Sequence, residues 1–104
     1  MKQKQITQDD LIELIKQNKV FFQKKLHITE IGIFGSYARG EQKESSDIDL
    51  IVELEENTQN IYEKKMTLRR LFEKHFGKEV DIATKKYLKP RVQEQILKEV
   101  IYVQ

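Results

Sequence analysis

The stretch Ile31-Gly32-Ile33-Phe34-Gly35-Ser36-Tyr37-Ala38-Arg39-Gly40, followed after a polar loop by Ser46-Asp47-Ile48-Asp49-Leu50-Ile51-Val52-Glu53-Leu54, decides how this chain is read. Residues Ile28 to Phe34 are rich in β-branched and aromatic side chains and run into Gly35, which predicts a strand that ends in a tight turn. A short helix is expected from Ser36, ended by Gly40, and the loop Glu41 to Ser46 returns the chain to a second strand over Asp47 to Leu54. Residues i and i+2 of a strand point to one face, so the carboxylates of Asp47 and Asp49 converge while Ile48 faces away. Two such anions repel unless a cation lies between them, and hard divalent ions such as Mg²⁺ take oxygen ligands of this kind. At the Gly35–Ser36 turn, backbone N–H groups and a hydroxyl would face an anion, and Gly35 lets backbone approach it closely. If the two strands are neighbours, a metal at the aspartates would bridge the protein to a triphosphate held at the turn.

Working outward, Thr7 can cap a helix whose third residue is Asp10, and Leu11, Leu14, Ile15, Phe21 and Phe22 predict one helix from about 8 to 25. The polar cluster Glu55 to Asn60 reads as a loop. Ile61, Met66, Leu68, Leu71, Phe72 and Phe76 then mark a helix closed by Gly77. Glu79 to Thr84 is a third strand, and Pro90 opens a last amphipathic segment through Val92, Ile96, Leu97 and Val100. The expected order is α-β-α-β-α-β-α. It implies an α/β (α+β) fold, a small mixed β-sheet with helices packed against it, in a single domain over residues 1–104.

Composition narrows the function. Apolar residues make up 38% and charged residues 35%, which suits a folded chain with a solvated exterior, and at 104 residues a substrate would be poorly enclosed. With no cysteine there is neither a disulfide framework nor a thiolate metal site. Met1-Lys2-Gln3-Lys4-Gln5 leads into an amphipathic segment, and no run reaches the roughly 20 apolar residues of a membrane span. A cytoplasmic protein with no membrane contact is expected. The net charge of +2 comes from basic residues scattered among acidic ones, which gives no footprint for direct nucleic-acid binding. His27 and His75 stand in no metal-ligand spacing and read as surface or packing residues.

Gly35 to Gly40 has the spacing of a P-loop, but Glu41-Gln42 stands where Lys-Ser/Thr is required, so the phosphate-binding cation is missing. The glycines at 32, 35 and 40 do not make the dinucleotide fingerprint. An isolated Asp-x-Asp is weak evidence; a Gly-Ser turn upstream, with ten intervening residues, makes the pair far more specific. A third carboxylate, Asp81, lies in Lys78-Glu79-Val80-Asp81-Ile82-Ala83, on a strand able to pair beside that of Asp47. There it would bind metal or take the proton of an attacking hydroxyl, rather than simply facing water. Lys85, Lys86, Lys89 and Arg91 follow as a cluster that more often forms a solvated face.

These residues resemble the DNA polymerase β-like nucleotidyltransferase superfamily, whose signature is a Gly-Ser turn, an Asp-x-Asp pair and a later acidic residue on a strand. Within it, Gly-Ser-Tyr-Ala-Arg-Gly, Ser-Asp-Ile-Asp-Leu and the C-terminal Lys-Pro-Arg-Val…Ile-Leu-Lys-Glu-Val-Ile-Tyr-Val look like the MNT group of minimal nucleotidyltransferases. The resemblance implies that Gly35 and Ser36 contact triphosphate, that Arg39 supports the nucleotide site, and that Asp47, Asp49 and Asp81 are catalytic and bind Mg²⁺, two ions in all. It further implies a HEPN-domain toxin ribonuclease as partner, a tyrosine of that partner as acceptor of AMP from ATP, and antitoxin action as the result. Transfer to an RNA 3′ end or a small molecule would use the same aspartates. A non-catalytic antitoxin would act by occlusion alone.

Overall fold

A computed structural model describes residues 5–104; the reading of Met1 to Lys4 lies outside the described residues. Helix α1 spans Gln8–Gln17 and α2 Lys19–Lys24; strand β1 spans Ile28–Phe34, α3 Ser36–Arg39, β2 Ile48–Leu54, α4 Ile61–Phe76 and β3 Val80–Thr84. A 3₁₀ turn over Lys85–Tyr87, α5 over Pro90–Leu97 and β4 over Ile101–Tyr102 complete the chain. The strands lie in the order β3-β2-β1-β4, with β1 antiparallel to β2 and β4, and β2 parallel to β3. The sheet is mixed, as the pattern of elements predicts.

Thr7 and Asp10 form the expected capping box, each side chain accepting the other's backbone N–H. The expected helix over 8–25 is two helices. At Asn18 the backbone leaves the helical region (φ −108°, ψ 11°), its N–H is shared between the Leu14 and Ile15 carbonyls, and its Nδ2 also donates to Leu14. The break redirects α2 so that Phe22 is buried while its neighbour in the apolar set, Phe21, stays 38% exposed. Phe22 stacks on Phe72 of α4, with ring centroids 6.5 Å apart, so both helices join one core.

That core takes Leu11, Leu14 and Ile15 from α1, Ile31 and Ile33 from β1, Ile48, Leu50 and Val52 from β2, Leu68 and Phe72 from α4, and Val80 from β3. Since strand side chains alternate, burying Ile48, Leu50 and Val52 on this face puts Asp49, Ile51 and Glu53 on the other. The last amphipathic segment ends as a helix at Leu97, and the chain then adds β4, which pairs Ile101 with Ile33 and Tyr102 with Gly32. A β-carbon on Gly32 would meet the side chains of Val100 and Tyr102, so this glycine lets the C-terminal segment close on β1. No helix among the described residues is long and apolar enough to cross a membrane.

Candidate active site

The two halves of the motif meet through strand register. Phe34, at the end of β1, pairs with Asp49 across the antiparallel ladder, and Asp49 pairs with Asp81 across the parallel one. Asp47 lies just outside β2, which begins at Ile48, where the Ile48 N–H donates to the Glu79 carbonyl. Ile48 is fully buried, Asp49 half-buried, and Asp47 and Asp81 are exposed. Asp49 is therefore the inner carboxylate, and Asp81 stands beside it on the next strand, at the open side of the site.

Gly35 has φ 74° and ψ −153°, a conformation left to glycine, and a β-carbon there would collide with the Asp49 carboxylate. The missing side chain is what lets Asp49 lie against the turn. Ser36 follows at once, half-buried, and its hydroxyl has no hydrogen-bond partner among the described residues. Beneath the turn, α3 is only four residues long. It is held by buried Tyr37 and by Gln8 Nε2, which donates to the Tyr37 and Ala38 carbonyls at 2.9 and 3.3 Å.

Asp49 is pushed up to about 6, first by burial, then by the negative charges of Asp81, Asp47 and Glu99, with Arg39 opposing. Asp81, Asp47 and Glu99 are thus the negative charges that Asp49 feels, and Glu99 is the one that reading the sequence missed. Glu99 Oε2 accepts from the Gly35 N–H at 3.1 Å and from Arg39 Nη1 at 2.6 Å. Arg39 also donates from Nε to Glu41 at 3.1 Å, and these carboxylates raise its already high pKa. Glu99 stands inside the C-terminal segment that resembles the MNT group, but nothing local marks it as a site residue; it reaches the turn because β4 pairs with β1.

Repelling carboxylate oxygens are a donor set suited to a hard divalent ion, and burial of Asp49 beside two other aspartates fits that use. Among the described residues no three acidic or histidine side chains are preassembled around a metal position. Mg²⁺ takes one or two carboxylates and completes its shell with phosphate oxygens and water. Lys85 and Lys86 lie beyond Thr84, which pairs with Val52, and so stand at the far end of β3 from Asp81. His27 pairs weakly with Glu55 at 3.5 Å and His75 packs edge-on against Phe76, both in roles unrelated to the aspartates.

Residues 5–103 match the family model of the nucleotidyltransferase domain. The chain belongs to this family. It is 39% identical over 98 residues to a Methanocaldococcus jannaschii protein provisionally named a protein adenylyltransferase, a match covering 93% of this chain and 98% of that one. It is 35% identical over 98 residues to the protein adenylyltransferase MntA of Thermococcus cleftensis, covering 94% and 97%. Among solved structures it superposes at a TM-score of 0.75 on one provisionally described as a minimal nucleotidyltransferase, 30% identical, over 95% of this chain and 98% of that chain. A Shewanella oneidensis MNT antitoxin, solved in complex with a tri-AMPylated HEPN toxin, shares the fold at a TM-score of 0.60 and 17% identity, over 89% and 71%. The protein is a nucleotidyltransferase of the minimal, polymerase β-like kind that its motifs resemble.

Proposed function

We propose that this nucleotidyltransferase moves AMP from ATP to a tyrosine of a HEPN-domain toxin and thereby acts as its antitoxin. The observation that supports the chemistry is the pairing of Asp49 with Asp81 against the Gly35–Ser36 turn, with Asp47 just ahead of the same strand. The acceptor class is supported by the adenylyltransferase relatives and by the AMPylated HEPN toxin bound to an antitoxin of this fold.

In this reading the Ser36 hydroxyl and the backbone of the turn hold triphosphate oxygens, and Arg39, paired with Glu99 and Glu41, supports the turn that presents them. Asp47, Asp49 and Asp81 would hold the two Mg²⁺ ions, which when bound neutralise phosphate charge and keep attacking and leaving oxygens in line. The tyrosine oxygen forms its bond to the α-phosphorus as the bond from that phosphorus to the bridging β-phosphate oxygen breaks, and pyrophosphate leaves. The phenol proton is taken by Asp81, which is exposed, or is released with the help of a metal that Asp81 would hold. A phenol with a pKa of about 10 makes this a modest demand near neutral pH. With its aspartates on an open face of the sheet, the protein leaves to its partner the task of enclosing the acceptor.

Intact masses of this protein and a candidate HEPN partner, taken after incubation with ATP and Mg²⁺, test the reading, with Asp47→Asn/Asp49→Asn as control. A gain of AMP on the partner that vanishes in the double variant is the expected result. Unchanged masses with ATP consumed would move the acceptor to RNA or a small molecule. Partner inhibition that persists in the double variant would mean occlusion.

A further inference from the structure

Glu99 follows α5 in the short connection to β4, its N–H on the Ile96 carbonyl at 3.0 Å, and its side chain is 27% exposed. Neither core packing nor a solvated surface accounts for the way it is bound. One oxygen, Oε2, takes both the Gly35 N–H and the Arg39 guanidinium, joining the C-terminal segment to a turn 64 residues earlier in the sequence. The charge-assisted contact to Arg39 is the shorter and the stronger of the two. Arg39 is meanwhile held from its other side by Glu41, so the guanidinium is fixed between two carboxylates rather than left to sample rotamers.

A carboxylate beside a phosphate-binding turn is electrostatically adverse unless it is neutralised, and Arg39 neutralises this one. What Glu99 contributes is therefore position. A helix of four residues has no cooperative stability of its own, so the orientation of α3 and of Gly35 depends on such outside ties.

We propose that Glu99 is a positioning residue for nucleotidyl transfer, fixing through the Gly35 N–H and Arg39 the turn on which Ser36 meets the triphosphate. This rests on the reading of Ser36 as a triphosphate ligand. The residue acts before any acceptor binds, so its effect falls on nucleotide affinity first.

The test is equilibrium binding of fluorescent mant-ATP with Mg²⁺ to the full chain without partner, alongside thermal midpoints. Glu99→Ala should weaken binding by about ten-fold or more, the loss expected for a charged hydrogen bond. Glu99→Gln, whose amide oxygen still accepts from both donors, should restore binding to within about three-fold, since a neutral bond is only modestly weaker. Glu99→Asp keeps the charge but shortens the reach, and it should behave like the alanine variant; it replaces that variant if alanine prevents folding. Unchanged binding in Glu99→Ala with a lowered thermal midpoint would reduce the contact to a structural tie and overturn the proposal. Tighter binding in both Glu99→Ala and Glu99→Gln would overturn it too, making Glu99 an obstruction. Ser36→Ala separates the two readings: if mant-ATP binds this variant as well as the parent, it is the assignment of Ser36 that fails.

Discussion

At the scale of single residues, Gly35 and Asp49 constrain each other. Any side chain at 35 meets both a backbone conformation with φ 74° and the Asp49 carboxylate. Gly35→Ala should lower stability by about 1–3 kcal/mol through strain, read as a lower urea midpoint, and should abolish nucleotidyl transfer because Asp49 must move. The raised pKa of Asp49 gives a further expectation. A carboxyl at about 6 when folded and at the ordinary 3.8 when unfolded binds its proton more tightly in the folded state, so metal-free protein loses stability as pH rises from about 4 to about 6. Urea midpoints measured against pH in EDTA should show this slope, and Asp49→Asn should remove it. Since a metal needs the ionised carboxylate, Mg²⁺ affinity should weaken below about pH 6. The spacing of Asp47 and Asp49 and the turn at Gly35 were legible in the sequence because strand alternation and glycine stereochemistry are local rules. Glu99 was not, because its partners lie 60 and 64 residues away.

At the scale of elements, the loop between α3 and β2 carries Asp47 to the site without regular structure. Lys78, just ahead of β3, clamps it: Nζ donates to the carbonyls of Glu44 and, at 3.4 Å, of Ser46. Within the loop the Lys43 N–H donates to Ser46 Oγ at 2.8 Å. Lys78→Met keeps the aliphatic stem and removes these bonds. It should slow transfer by about ten-fold or more, since a catalytic group misplaced by about 1 Å can cost a hundred-fold. Its thermal midpoint, measured by scanning calorimetry, should move by only a few degrees, the scale of about 1 kcal/mol in a small domain. The strands through Asp49 and Asp81 and the helix closed by Gly77 could be read from periodicity and caps. The break at Asn18 could not, because its side chain competes for a helix carbonyl only where Phe22 has a core to turn toward.

At the scale of the whole molecule, one face of the sheet is closed by α1, α2 and α4 and the other presents the aspartates. Phe72, fully buried between α2 and the sheet, belongs only to the first. Phe72→Ala should cost about 3–5 kcal/mol in urea unfolding, a large share of the 5–15 kcal/mol typical of a domain, and should reduce activity only as the folded fraction falls. The Asp47→Asn/Asp49→Asn variant should keep its fold and be at least as stable as the parent without metal, because it removes repulsion at Asp49.

By itself the sequence determined the α/β fold class, the strand that carries Asp47-x-Asp49, the glycine turn and the candidate aspartates, all of which follow from rules acting over a few residues. Only the tertiary structure decided that Asp81 stands beside Asp49, that β4 closes the edge of β1, and that Glu99 binds Gly35 and Arg39. Those contacts depend on strand order and register, which are set when the entire core packs and which no short window of sequence contains.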